Sequence, residues 1–373
     1  MFEFFIMACL ILFTGYYAYF LICVQIGISK LSAQSKQTLQ PFVSVVVAAR
    51  NEEKNIANLL STLLRQSYPS DKYEIIIVDD ASTDRTSGIV LQFQAQQKSI
   101  VLLHAIASSQ KTAGRKAAAL TQAIQNAKGE IIITTDADCT VPHRWIETLA
   151  QYFSEETAMV AGPVAEKTSA SVLGNLEALE FLGLITVGAG LIGSGRPIIC
   201  NGANLAYRKS AFKRVHGFGD NTNDDESLMN RMVYQHAGTV TFAATPEALV
   251  TTASDNTLKT FLKQRIRWSN KRGQYEDTSI LFSLITLYLF FVFIAAVWVL
   301  AIFNNGWILS ALLALSTKII LDFSTLRTGA KKWNQHISMP YFLVAEVFHV
   351  PYILIAAAIG QFGTLTWKGN KIA

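Results

Sequence analysis

Two carboxylates, Asp136 and Asp138, stand one residue apart at the end of the apolar run Ile131-Ile-Ile-Thr-Thr135. A short buried strand that stops in Asp-x-Asp presents both groups at the carboxyl edge of a sheet. There, hard oxygen donors hold a divalent cation against a diphosphate. The same pair also suits a plain strand-to-turn junction in which Asp caps the next element, so the neighbouring motifs carry the decision. Other carboxylates recur at comparable places. Glu52 follows the apolar run 43–48, Asp79 and Asp80 follow 74–78, and Asn223-Asp224-Asp225-Glu226 leads into a helical pattern ending near His236.

The elements that must position these groups follow from periodicity. Residues 43–48, 74–78, 100–104 and 131–135 read as strands, with 158–164 as a further one. Between them, residues 55–66, 82–97 and 115–126 read as helices, the first with Ile56, Leu59, Leu60, Leu63 and Leu64 on one face. Strands alternating with helices imply parallel pairing through right-handed crossovers, hence an α/β fold. The strand runs are continuous rather than alternating, as in strands covered on both faces. Ligands of such sheets sit outside the carboxyl ends of the strands, the edge where Glu52, Asp80, Asp136 and Asp138 fall.

Charged residues make up 16% of the chain, against about 25% in soluble domains, and this deficit points to a membrane. Residues 4–28 form an uncharged apolar run, longer than a signal-peptide core and without basic residues before it, so an anchor is favoured over a cleaved leader. Lys30, Lys36 and Arg50 follow that run, which by the positive-inside rule places the next domain in the cytosol. Further spans are expected at 280–303, at 306–322 (weaker, with Lys318 snorkelling toward its end) and at 341–362, where Glu346 and His349 suggest a helix facing other helices or a cavity. Arg327, Lys331 and Lys332 read as a cytosolic loop. Residues 181–193 are apolar but too short to span. Lys368 and Lys371 argue against the outside C-terminus that three later spans imply. The four cysteines lack CxxC spacing, which disfavours a zinc site or a disulfide framework. No dense basic stripe with aromatics suggests nucleic acid.

Read together, the motifs carry a resemblance. Ser44-Val-Val-Val-Ala-Ala-Arg50-Asn51-Glu52-Glu53, Ile77-Val-Asp79-Asp80-Ala-Ser82-Thr-Asp84, Gly114-Arg-Lys116-Ala-Ala-Ala119-Leu120, Asp136-Ala-Asp138, Asn201-Gly202-Ala-Asn204 and Gln264-Arg265-Ile-Arg267-Trp268 stand in the order of the membrane-bound family 2 glycosyltransferases. The resemblance covers residues 43–268 and implies a GT-A, Rossmann-like domain, set here at 40–275. It implies an inverting enzyme that uses a nucleotide sugar, most often UDP-linked, and Mg²⁺ or Mn²⁺. By this resemblance Glu52 and Asp80 bind the nucleoside, Asp138 and Asp136 hold the metal, and Gly202 and Asn204 lie on the acceptor side. Lys116, or Arg115 beside it, reaches the diphosphate. Asp225 is the candidate base, with Asp224 orienting it or raising its pKa by like-charge proximity.

In the last motif, Gln264, Arg265 and Arg267 suit phosphate oxygens, and Trp268 offers a flat face to the donor sugar or to the acceptor. A lipid-facing set of arginines with an interfacial Trp is the alternative there. Cys139 and Cys200 read as packing. The acceptor stays open between a lipid-linked or envelope glycan and the chain end of a processive polysaccharide synthase. A catalytically silent nucleotide-sugar sensor and a nucleotidyltransferase are the competing classes. The former does not need base and metal together, and the latter has no use for Gln-x-x-Arg-Trp.

Overall fold

The computed structural model describes residues 1–31, 40–106, 112–167, 171–219, 225–253, 257–269, 278–362, 365–367 and 370–372. The chain divides into two units, one of Ser29–Lys167 with Leu191–Ala253, the other of Met1–Ile28, Thr168–Gly190 and Ser254–Ala373.

The first unit is built on β1 (Val43–Ala49), β2 (Tyr73–Asp79), β3 (Ile100–His104), β4 (Ile131–Thr134), β5 (Thr157–Ala161), β6 (Val164–Glu166), β7 (Leu205–Arg208), β8 (Thr239–Phe242) and β9 (Val250–Thr252). Seven of these form one sheet in the order β3-β2-β1-β4-β7-β5-β8, and β6 pairs with β9 in a small second sheet. The strands β3-β2-β1-β4 are parallel, as the alternation with helices implies. Helix α2 (Ile56–Leu63) leads back from β1 to β2, α3 (Thr86–Gln96) from β2 to β3 and α4 (Thr112–Asn126) from β3 to β4. Every residue of β2 and β4 is buried, which explains their unbroken apolar runs.

Register decides what reaches the carboxyl edge. Val46 pairs with Thr134, and Ala49 with Asp79. The chain therefore leaves β1, β2 and β4 on one side of the sheet, carrying Arg50 to Glu52, Asp80 and Asp136 with it. At the opposite edge Ser44, fully buried, donates to Glu74 Oε1 at 2.7 Å and accepts from the Gly129 N–H at 2.8 Å. Glu74 Oε1 also accepts from Lys128 N–H at 2.6 Å. A Cβ on Gly129 would lie 2.5 Å from Ser44 N, so only glycine fits there.

One strand expectation changes, and strands beyond those expected are present. Strand 158–164 divides at Gly162-Pro163, where proline has no N–H for a ladder, and its halves join different sheets. Strand β7 enters the sheet antiparallel to both β4 and β5. The helix expected from residue 82 begins at Thr86, because residues 82–85 are used in loop contacts described below. Three short helices complete the unit: α5 (Trp145–Ala150), α7 (Lys209–Arg214) and α8 (Asp225–Tyr234).

The second unit is helical. α1 (Phe2–Lys30), α6 (Val172–Gly193), α10 (Thr278–Phe303), α11 (Ile308–Lys332) and α12 (Met339–Phe362) each contain a segment long and apolar enough to cross a membrane. The amphipathic α9 (Leu258–Ser269) belongs to the same unit. The stretch 181–193, expected to be too short, is the second half of the 22-residue α6. Glu177 and Glu180 interrupt its apolar pattern in sequence, but Glu177 is buried and Glu180 is paired with Arg265.

The expected weak span 306–322 is likewise part of the longer α11, which takes in Arg327, Lys331 and Lys332 as helix rather than loop. Lys318 does not snorkel. It is fully buried and donates to Asp322 Oδ2 at 2.7 Å and to Glu346 Oε2 at 2.6 Å on α12. His349 Nδ1 lies 3.0 Å from the ammonium, and Tyr17 of α1 donates to the other oxygen of Asp322. Tyr17 also stacks on Phe290 of α10 with centroids 4.2 Å apart. Four helices are thus tied around one internal cation. Breaking a buried pair leaves a charge without compensation and costs about 3–5 kcal/mol. Lys318→Met leaves Asp322 and Glu346 facing each other without that cation, so its unfolding midpoint in detergent is expected to fall well below that of the parent protein. A combined Lys318→Met, Glu346→Gln change should recover part of the loss.

Candidate active site

The loops after β1 and β2 are laced together. Asn51 adopts a left-handed backbone (φ 58°), which Asn tolerates better than most residues. Its N–H donates to Ser82 Oγ at 3.0 Å and its Oδ1 accepts from Thr83 N–H at 2.8 Å. The Glu52 N–H donates to Thr86 Oγ1 at 2.8 Å, and the Glu53 N–H to Asp84 Oδ2 at 3.1 Å. Asn-Glu-Glu and Ser-Thr-Asp therefore build each other's loop. Asp79 is buried inside this arrangement, accepting from Ser82 N–H and Ser87 Oγ. Its role is to cap the turn into α3, which leaves Asp80 as the carboxylate at the rim.

Asp80 is bracketed by two cations. Arg115 donates to Oδ1 through Nε at 3.1 Å and Nη2 at 2.8 Å, and Arg50 Nη1 lies 3.6 Å from Oδ2. Lys116, the next residue on α4, donates instead to Asp136 Oδ1 at 2.5 Å. The adjacent cations of α4 thus separate, Arg115 toward Asp80 and Lys116 toward the Asp-x-Asp pair. The carboxylate of Glu52 accepts from Asn55 Nδ2 at 2.8 Å.

Asp138 is mostly buried on a turn held to β9 by reciprocal Thr140–Thr251 backbone bonds of 2.8 and 3.0 Å. Burial first, and the neighbouring Asp136 charge second, hold the Asp138 carboxyl above the usual carboxylate range. Two hard oxygen donors whose charges disfavour one another suit a divalent cation, which relieves both effects. Burial pushes the Cys139 thiol up, with Asp136 and Asp138 adding to it, so this sulfur is a packing group.

Asp225 opens α8 and lies against Gly202. A Cβ on Gly202 would fall 1.9 Å from Asp225 Oδ2, so the carboxylate occupies the space a side chain would take. The carbonyl of Gly202 accepts from Thr134 Oγ1 at 3.0 Å, and Thr134 is the last residue of β4, two before Asp136. A continuous path therefore links the candidate base to the Asp-x-Asp turn: Asp225, Gly202, Thr134, Asp136. Tyr207 is buried nearby. Burial, then the Asp225 charge, holds its phenol well above the usual range, so it stays protonated. Asp224 lies outside the described residues.

Asn204, expected on the acceptor side, is an internal link of this loop. It is fully buried, its Oδ1 accepts from Trp145 Nε1 at 2.9 Å, and its Nδ2 donates to the carbonyls of Pro163 and Ala248, each at 2.7 Å. With its amide bonded to Trp145, Pro163 and Ala248, Asn204 holds the Gly202 turn. Arg265, expected to meet the donor, is also committed: it is 3% exposed and donates twice to Glu180 Oε2. Gln264 is on the same helix. The side chains of Arg267 and Trp268 lie outside the described residues.

Thr134 and Trp145 were not singled out from sequence, and Arg50 was read for its charge near the membrane rather than for its place beside Asp80. Thr134 carried a usable signal, a hydroxyl ending an otherwise isoleucine strand. Trp145 and its partner Asn204 are 59 residues apart in the chain, and their pairing left none.

Comparison with known proteins agrees with this architecture. The model for "Glycosyl transferase family 2" matches residues 44–215, and that for "Glycosyl transferase family group 2" matches 131–348. The probable glycosyltransferase YdaM of Bacillus subtilis is 27% identical over 250 residues, 63% of this chain and 56% of that protein. A beta-monoglucosyldiacylglycerol synthase of Nostoc is 39% identical over 116 residues, 31% of this chain and 24% of that one. The chain thus spans only part of the length of these relatives. Among solved structures, the mannosyltransferase PcManGT of Pyrobaculum calidifontis, in complex with GDP-Man and Mn²⁺, superposes with a TM-score of 0.55 at 19% identity. That match covers 95% of this chain and 98% of the other, and it shows a shared GT-A fold. With the second family model spanning more than half of its residues, on a sheet whose carboxyl edge gathers Asp80, Asp136, Asp138 and Asp225, the chain belongs to the family 2 group of glycosyltransferases.

Proposed function

We propose that this protein is a membrane-bound inverting glycosyltransferase that moves a sugar from a nucleoside diphosphate, UDP foremost, to a hydroxyl of a lipid-linked or envelope-glycan acceptor. The observation that carries this reading is the close seat of the Asp225 carboxylate on Gly202, tied through Thr134 to the Asp-x-Asp turn. That arrangement supports a base and a leaving-group site on one sheet edge. The acceptor hydroxyl gives its proton to Asp225 as its oxygen attacks the anomeric carbon. The bond from that carbon to the diphosphate oxygen breaks, inverting the centre without a covalent enzyme intermediate. Lys116 adds positive charge beside Asp136, and Glu52 and Asp80 bind the nucleoside, Asp80 with its arginines.

Asp136 and Asp138 would hold Mg²⁺ or Mn²⁺, which as a Lewis acid neutralises the charge on the departing nucleoside diphosphate. The relative named as a glucosyldiacylglycerol synthase and the apolar helices support a lipid acceptor. The basic residues after α1 support a cytosolic catalytic unit.

The test is transfer of label from UDP-glucose, UDP-N-acetylglucosamine and GDP-mannose into lipid or polymer, using membranes that contain the full chain. Asp225→Asn keeps the shape but removes the proton acceptor, and kcat should fall about 10²- to 10⁴-fold with nucleotide affinity retained. Transfer at the parental rate would overturn the base assignment. A sensor would bind nucleotide sugar without any transfer, and a nucleotidyltransferase would release pyrophosphate. Gly202→Ala must displace Asp225, so it should lower kcat in a protein that still folds and binds nucleotide. Chelation with EDTA is expected to abolish transfer and added Mn²⁺ or Mg²⁺ to restore it, with Asp138→Asn needing more metal for the same rate.

A further inference from the structure

Among the described residues, no carboxylate meets the cations in the last two turns of α11. Phe323, Arg327 and Lys331 stand at four-residue spacing there and share one stripe of the helix. With Asn334 of the following turn, and Ile337 and Met339 leading into α12, they line an open cavity of about 410 Å³. Asn334 has a left-handed backbone (φ 56°), which reverses the chain after Trp333. Phe323 packs on Phe342 of α12 with centroids 5.3 Å apart, so both helices wall the apolar end of the cavity.

Depth decides what meets these cations. At 1.5 Å per residue, Arg327 lies about 29 Å along α11 from Ile308, close to the roughly 30 Å of a bilayer's hydrocarbon core. Lys318, near the middle of that length, is buried and ion-paired, whereas Arg327 and Lys331 are exposed. The cavity therefore opens at the depth of lipid headgroups, with Phe323 on the hydrocarbon side and Lys331 on the water side. Gln25 of α1 bonds Thr325 at 3.0 Å and Ser324 at 3.1 Å, so the carboxyl end of α1 lies at the same end of the bundle. On the reading that the basic residues after α1 face the cytosol, the leaflet here is the cytoplasmic one, whose anionic lipids attract basic groups.

We infer that this cavity is a binding site for one anionic phospholipid, with its phosphate between Arg327 and Lys331 and its glycerol end against Phe323, Ile337 and Met339. A free anion satisfies the two cations but leaves the apolar wall uncovered. A lipid without net charge covers the wall but leaves the cations uncompensated. An anionic phospholipid matches both. The guanidinium takes two phosphate oxygens in its fork, the ammonium adds a point charge, and the Asn334 amide supplies a neutral donor. A lipid held this way touches α11 and α12 together and ties the hairpin they form.

The experiment uses the full-length protein purified in a neutral detergent. Phosphatidylglycerol, phosphatidylcholine or inorganic phosphate is titrated in while the unfolding midpoint is read. Phosphatidylglycerol should raise the midpoint saturably, because a ligand of the folded state stabilises it. Phosphatidylcholine and inorganic phosphate should not. Arg327→Gln and Lys331→Gln should each weaken the apparent Kd about 5-fold, and together about 25-fold. Lys332→Gln, on the adjacent residue that does not line the cavity, should keep the parental Kd. Arg327 and Lys331 are exposed and make no ion pair, so both variants should keep the parental midpoint in lipid-free detergent.

The absence of a saturable shift with phosphatidylglycerol, or an equal shift with phosphatidylcholine, overturns the inference. An equal shift with inorganic phosphate overturns the lipid in favour of a free anion. A parental Kd in the double variant overturns the site. Should the double variant fail to fold, a parental Kd in either single variant is enough to overturn it.

Discussion

The carboxyl edge of the sheet depends on the buried amide of Asn204. That one side chain joins α5 through the Trp145 indole, the β5–β6 break through the Pro163 carbonyl, and the turn before β9 through the Ala248 carbonyl. Its own backbone carbonyl accepts from the Gly162 N–H at 2.9 Å. A Cβ at Gly162 would lie 2.3 Å from Asn204 Nδ2, so the amide is packed as closely as it is bonded. A buried amide that lost these partners would bear the full desolvation penalty of its donor and acceptor groups. The Gly202 turn and the seat of Asp225 hang from this node, two residues away.

The same logic holds in the helical unit, with charge in place of an amide. Lys318 has no exposure to solvent and is matched by Asp322 and Glu346, with His349 and Tyr17 completing the shell. Ionisable groups at such depth are expensive unless paired within the bundle, and their pairing specifies which faces of α1, α11 and α12 meet. Arg265 and Glu180 repeat the device between α6 and α9. In both places an apolar helix carries an ion that reads in sequence as a defect and works in the fold as a link.

How much of this was legible follows from range. The strands ending in carboxylates, the alternation with helices and the long apolar runs are local patterns, and local sterics and burial suffice to impose them. The seats of Asp80 and Asp136 are nearly as local, since parallel register carries the ends of β1, β2 and β4 to one edge. Antiparallel β7 is different. Nothing in Leu205–Arg208 says which two strands it will divide, because that depends on the competing pairings of β4 and β5. The apolar stretch 181–193 reads as too short to span, and it is the fold that extends it to α6 from Val172, with Glu180 accommodated by Arg265.

By itself the sequence determined the types of group available: an Asp-x-Asp pair, a basic helix start, an acidic helix start, and helices apolar enough for a bilayer. Tertiary structure alone decided their assignment. It gave Asp79 to a turn and Asp80 to the rim, committed Asn204 and Arg265 to internal bonds, and set Asp225 on the one residue without a side chain to exclude it. The physical reason is that a polar group's role depends on whether its hydrogen-bonding capacity is already used. That capacity is used by partners brought together by folding, often from more than fifty residues away.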